Sequence, residues 1–368
     1  MKKILLVLLT FGMLCGCQGK KEDNVIKIGA LLSLTGENAQ QGILAKNGIL
    51  LCVERINANG GVNGKKVDLI IEDTQTSTKG TLNAFKKIVA INSVEAIIVT
   101  GDTELQAVNT LADAYKIPII ATICTGMLDE NRSKWLFRYC FTEEQEDDYM
   151  MNFVKNNLGL SNMALLYPNT LFGQNFYTYS KKYIDQYGIN IVADVAYDFN
   201  STDQKGNALK VVSSHPDIIC ARGFGSSLDA LLRYIAELGY SGKIIGDLSI
   251  TTPSTVNNTL GILEGAYIVA SDLDLYSNDM NIISYIKEYR ERYKIDPCFW
   301  DAIGYDSMLY LCYALHLGQQ SQDGFIFAIL NNMPEGLLLG NNKFVNSNDV
   351  TFDMHMFTME SGKLIKLQ

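Results

Sequence analysis

From Val25 onward, short apolar runs alternate with longer segments in which apolar residues recur every three or four positions. The runs VIKIGALL, VDLIIED, EAIIVT and IPIIAT read as strands. Between them the spacing predicts helices over 43–57, through Phe85, Ile88 and Val89, and over 104–115. Near Glu143 the alternation starts again with a helix, MALLYP, a helix over 172–187, INIVADVAY, another helix, DIICA, a helix over 227–238, and KIIGD. In that last helix Leu228, Leu231, Leu232, Ile235 and Leu238 fall on one stripe and Gly239 follows as a stop, so one face is expected to be buried against a sheet. A β-α-β-α order implies parallel sheets with helices on both faces. The unit occurs twice in topology though not in sequence, and a body of roughly 340 residues exceeds what one core usually holds, so two domains are expected.

The residues before the first strand follow another pattern. Lys2 and Lys3 precede an apolar run over 4–13, and Leu14-Cys15-Gly16-Cys17 follows. A membrane-spanning helix needs about 20 residues to cross about 30 Å of hydrocarbon, roughly twice this run. Residues 1–16 therefore read as a signal peptide that targets rather than spans. The small residues before Cys17 look like a lipobox, which implies cleavage there and lipidation of the Cys17 sulfur, although Cys15 departs from the usual Ala, Ser or Thr. The polar stretch up to Asn24 reads as a tether, 17–24, between lipid and folded body.

Composition narrows the function more by exclusion than by indication. The net charge is −9, and losing Lys2 and Lys3 with the leader lowers it by two, to −11. An acidic surface without a basic stripe argues against a nucleic-acid partner. His215, His316 and His355 do not pair at metal-ligand spacing and no Cys-x-x-Cys occurs, so neither metal nor other cofactor is expected. Gly60-Gly61-Val62-Asn63-Gly64-Lys65 lacks the first glycine of a phosphate loop, and Gly223-Phe224-Gly225 lacks the third glycine of a dinucleotide loop. No Gly-x-Ser-x-Gly elbow exists and no catalytic residue suggests itself, so an enzyme is not expected. Of the six cysteines beyond Cys17, Cys52, Cys220 and Cys312 sit in apolar runs where a reduced thiol packs, although export would permit disulfides. Glu143, Glu144, Glu146, Asp147 and Asp148 could suggest a cation site, but they open a helix, where carboxylates favour the positive end of the dipole. What remains is the cleft that two such sheets form at the carboxyl ends of their strands, able to hinge shut on a solute.

The stretch IKIGALLSLTGENAQQGILAKNGILLCVERINANGGVNG resembles the opening of the leucine/isoleucine/valine-binding family of periplasmic solute-binding proteins. The likeness continues through Glu72-Asp73, KIPIIAT, ALLYPNTLFGQNF, ARGFGSSLDALLRYIAELGYSG, LEGAYIVA and the residues from Trp300 to Asp306. It implies a type I periplasmic-binding fold, α/β, with two Rossmann-like lobes of parallel sheet joined by three hinge crossings near 142, 270 and 349. Lobe 1 is then expected over 25–142 plus 271–349, and lobe 2 over 143–270 plus 350–368. It also implies an exported binding protein that hands a small polar ligand, an amino acid or an amide, to the permease subunits of an ABC-type importer. A sensory binding protein that signals through a membrane partner is the alternative.

Family positions carried over one at a time give the expected ligand contacts. The serine that typically meets the ligand carboxylate falls on Asp102, just before the helix that starts at Thr103. An aspartate there would repel a carboxylate unless helix-start N–H groups or a ligand ammonium screened it, and a plain N-cap role would explain it equally well. Thr125 matches a ligand-binding hydroxyl, with the backbone of Ile123 beside it. Phe172 and Phe224 match aromatics that lie over the ligand. Gln41 stands where a tyrosine often does. Leu248 falls where amino-acid binders often place a carboxylate, and the adjacent Asp247 could serve instead.

Overall fold

The computed structural model describes residues 25–126, 131–271, 273–318, 321–344 and 348–367. The signal peptide, Cys17 and the tether lie outside them. The first series builds β1 (Val25–Leu32), α1 (Ala39–Ala58), β2 (Lys66–Asp73), α2 (Thr78–Lys87), β3 (Ala96–Thr100), α3 (Asp102–Tyr115), β4 (Ile119–Thr122) and β5 (Leu136–Arg138). All five strands pair in parallel in the order β2-β1-β3-β4-β5. The second series builds α4 (Glu143–Asn152), β6 (Asn162–Pro168), α5 (Leu171–Tyr187), β7 (Asn190–Tyr197), α6 (Lys205–Ser213), β8 (Ile218–Ala221), α7 (Gly225–Glu237), β9 (Lys243–Asp247), α8 (Pro253–Leu263) and β10 (Tyr267–Ala270).

The chain then returns to the first sheet through α9 (Met280–Tyr293), α10 (Phe299–Leu317) and α11 (Gln322–Asn331), and ends in β11 (His355–Glu360) and β12 (Lys363–Lys366). These two strands add antiparallel to the second sheet, giving the order β12-β11-β10-β9-β8-β6-β7. The molecule is thus two α/β lobes with three crossings between the sheets, after β5, after β10 and before β11. The first and third crossings run side by side, because Asp349 accepts from Arg132 at 2.5 Å and from Arg138 Nε at 2.9 Å.

Alternation along the strands of the second sheet shows why they form there. Met163, Leu165 and Tyr167 of β6, with Ile218 and Cys220 of β8, pack on one face with Met150, Val154 and Phe176. Ala164, Leu166, Ile219 and Ala221 face the other side. Both faces are buried, the condition of a parallel sheet covered by helices. In the first lobe α10 lies on α1 at backbone contact: a Cβ on Gly48 would stand 1.8 Å from the Asp301 carbonyl oxygen, and one on Gly304 would stand 2.4 Å from that of Ala45.

Three local expectations are corrected. The helix through Phe85 closes at Lys87 and widens into a π turn over Ile88–Asn92. On α7, Leu228, Leu231, Leu232 and Ile235 are fully buried, but Leu238 caps the helix end and is 45% exposed. Asp102 lies inside α3 as its first residue, and Gly101, at φ 100°, is the N-cap. All six cysteines of the described body are free thiols.

Candidate functional site

Seven turns at the carboxyl edges of the two sheets run into one gap between the lobes. The turn after β1 brings Glu37, Asn38 and Gln41, and the turn after β2 brings Thr76. The turns after β3 and β4 bring Asp102, Thr103, Ile123 and Thr125. From the second lobe come Leu171 and Phe172 after β6, Phe224 after β8, and Asp247 and Ser249 after β9. Phe141 and Trp300 close the hinge side. The cavity left among them is about 50 Å³. All eight residues expected at the ligand, Gln41, Asp102, Thr103, Ile123, Thr125, Phe172, Phe224 and Asp247, stand around it. Leu248 does not line it, although it is adjacent in sequence to Asp247, because its side chain turns the other way.

The first-lobe wall is polar and only partly satisfied. Asp102 does not cap its own helix but reaches sideways, its Oδ1 accepting from Gly126 N at 3.0 Å. Burial raises the Asp102 carboxyl above its ordinary range, and the N–H groups of Gly126 and Thr125 and the charge of Arg138 oppose the rise. Glu104, fully buried beneath it, accepts from Ser33 Oγ and Thr74 Oγ1, both at 2.7 Å, and leaves its second oxygen unpaired. Burial also raises Glu37. The Thr170 hydroxyl across the cleft opposes that rise, while Glu104 and Asp102 add to it. Gln41 is 2% exposed, and neither its amide nitrogen nor its oxygen has a partner. Ile123 holds φ 55°, a left-handed conformation that costs a β-branched residue on the order of 1–3 kcal/mol and that concentrates at functional turns.

The second-lobe wall is held by a charge cluster. Arg222, fully buried at the end of β8, donates to Glu146 Oε2 at 2.9 Å, to Asp147 Oδ1 at 3.0 Å and to Asp247 Oδ2. Glu143 Oε2 stands 3.7 Å away, and the Phe176 ring lies 4.8 Å beneath the guanidinium. The acidic run at the start of α4 is therefore more than a dipole effect. Thr142 does cap the helix in a capping box with Gln145, but Glu143, Glu146 and Asp147 are buried around this arginine. Four carboxylates share one cation, so burial pushes Glu143 up to about 8 and Asp147 to about 6, with Arg222 holding both back. Thr125 reaches into the cluster, its hydroxyl donating to Glu143 Oε1 at 2.8 Å. Asp247 also accepts from Ser249 N at 2.9 Å, which fixes the turn that carries it to the cavity.

Phe172 and Phe224 form the apolar wall with ring centroids 6.2 Å apart, and Phe199 backs Phe224 edge-on at 6.0 Å. Sequence reading placed these two rings but missed Glu37, Trp300 and Arg222. Glu37 sits in the quoted Thr-Gly opening and could have been found as a loop carboxylate. Trp300 and Arg222 arrive through long-range packing that carries no local signal.

The family model described as periplasmic binding protein matches residues 25–363. Among curated proteins the chain is similar to the Leu/Ile/Val-binding protein homolog 7 of Brucella suis biovar 1 (strain 1330), 23% identical over 312 residues, which is 80% of this chain and 76% of that protein. Among solved structures it is similar to the branched-chain amino acid transporter substrate binding protein LivJ of Streptococcus pneumoniae in complex with isoleucine. The TM-score is 0.83 at 20% identity, covering 93% of this chain and 100% of the other. It is similar in the same degree, TM-score 0.83 and 20% identity over 94% and 96% of the two chains, to a solute binding protein of an ABC transporter from Rhodopseudomonas palustris BisB5 in complex with 3,4-dihydroxy benzoic acid.

Proposed function

The chain belongs to the periplasmic binding protein family, and from that premise we propose that it is the lipid-anchored, extracytoplasmic receptor of an ABC-type importer. Membership makes it an exported solute-binding protein and not an enzyme. The finer reading is that a small polar ligand, an amino acid or an amide, is captured between the lobes by Gln41, Asp102, Thr103, Ile123, Thr125, Phe172, Phe224 and Asp247. The observation that carries it is the convergence of those eight residues, from six separate turns, on one cavity.

Lobe boundaries at 25–142 plus 271–349 and 143–270 plus 350–368 are supported by sheet membership, since every strand of each sheet falls within one set. Anchoring through Cys17 rests on the lipobox-like leader, and permease subunits as partner rest on the family likeness. Calorimetry against a panel of amino acids and their amides tests the ligand class, and absence of binding by any of them would overturn it. Cys17→Ser should move the protein from the membrane to the soluble fraction, and a mutant that stays with the membrane would end the anchor reading.

A further inference from the structure

Among the described residues fifteen line the cavity; three of these are acidic, Glu37, Asp102 and Asp247, and none is Lys, Arg or His. The two arginines nearest it are committed elsewhere. Arg222 is spread over Asp247, Glu146 and Asp147 and is fully buried. Arg138, 5% exposed, donates to Asp349 and, at 2.6 Å, to the Gly126 carbonyl. The Gly126 N–H, the donor that the β4 turn presents beside the helix start, is already taken by the protein's own carboxylate, that of Asp102. A solute carboxylate entering here would meet like charges and, among the described residues, no free cation.

Gln41 adds an independent requirement. Its side chain lines the cavity, is 2% exposed, and is unpaired at both ends. Buried polar groups in native proteins are satisfied, and a carboxamide needs one acceptor and one donor. A carboxylate supplies only acceptors and an ammonium only donors. A neutral amide supplies both, in the same plane.

We propose that the cleft selects a small solute carrying a cationic amine and a neutral amide, with no free carboxylate: the amine faces Asp102 and Glu37, and the amide pairs with Gln41. This rests on the reading of the cavity as the solute site. It narrows the ligand from amino acids in general to their amides and related aminoamides, and it gives Asp102 a second task, excluding the free acids. The small cavity favours solutes with few heavy atoms.

The test is calorimetry on the full chain with four matched probes: alaninamide, alanine, ethylamine and propionamide. Alaninamide should bind about tenfold or more tighter than alanine, the effect of an amide pairing with Gln41 gained and one like-charge contact avoided, the ammonium being common to both. The two single-pole probes should bind more weakly than alaninamide. Asp102→Ser should weaken alaninamide and admit alanine, and Asp102→Asn, which keeps the shape and the bond to Gly126, should give the same reversal if serine disturbs folding. Alanine binding the native chain as tightly as alaninamide would overturn the inference, and so would failure of all four probes to bind. In the first case compaction of the chain by alanine, seen in small-angle scattering, would leave the solute-binding reading standing. Binding of any probe that survives Phe172→Ala unchanged and produces no compaction would count against the cleft itself.

Discussion

Carboxylates crowd both sides of the cleft, and the two sides treat them differently. In the second lobe Glu143, Glu146, Asp147 and Asp247 surround one guanidinium, and three of the four lie wholly inside the protein. In the first lobe Glu37, Asp102 and Glu104 gather around hydroxyls and backbone N–H groups, while Arg138 is given to Asp349 and the Gly126 carbonyl. The second cluster supplies its own cation and so sets the shape of a wall. The first leaves negative charge facing the cavity and so sets what may enter. Acidic residues at a site thus carry different meanings according to where the nearest cation is spent.

Removing that cation gives the largest expected effect. Arg222→Met leaves four carboxylates in a buried space, and breaking such a pair costs about 3–5 kcal/mol. The variant should lose most of its folding stability in urea denaturation, and adding Glu146→Gln and Asp147→Asn should restore part of it. A fully stable Arg222→Met would show that the cluster does not hold the wall.

Next in size is the response to pH. Glu143 rises from an ordinary 4.5 to about 8 and Asp147 from 3.8 to about 6, both chiefly through burial, and the buried Asp301 and Asp306 rise to about 7 for the same reason. An acid whose folded value is raised binds more protons folded than unfolded. Its stabilising contribution is therefore complete below the unfolded value and is lost as pH rises through the folded one. The melting temperature should fall from about pH 4, the unfolded values, to about pH 8, the highest folded one, and Glu143→Gln should flatten the upper part of that fall. A flat profile would mean that the second-lobe carboxylates are ionised throughout.

A smaller effect of opposite sign belongs to the first lobe. Gln41→Leu removes a buried amide with no partner, whose burial costs about 1–3 kcal/mol, so the unliganded variant should melt at the same temperature or higher. It should nonetheless lose affinity for amide probes. Destabilisation of the free protein would show that Gln41 serves the core rather than the solute.

How much of this was legible in the sequence depended on the range of the interaction. Strands VIKIGALL and KIIGD emerge where apolar runs placed them, over Val25–Leu32 and Lys243–Asp247, because a strand buried on both faces is mostly apolar along its length. The site residues were reachable through the family resemblance, which carried ligand positions onto turns at the carboxyl ends of the strands, where open α/β sheets bind solutes. β5 was not legible, since three residues, Leu136–Arg138, carry no period. Nor was the pairing of Arg222 with residues about 75 positions away, where a run of five acidic residues at a helix start had a sufficient local explanation. Asp102 shows the limit most sharply. The residue was found, but its carboxylate points to Gly126 across a turn instead of down its own helix.

The central claim is that the two lobes close on a small solute held in the gap between them. Three crossings give the chain a hinge, and a ligand that touches both walls binds the closed form better than the open one. Small-angle scattering of the protein alone and at saturation with a solute whose binding calorimetry has established tests this directly. The radius of gyration should fall on addition of that solute, and Phe172→Ala should weaken binding and the compaction together. An unchanged radius at saturation would contradict the claim.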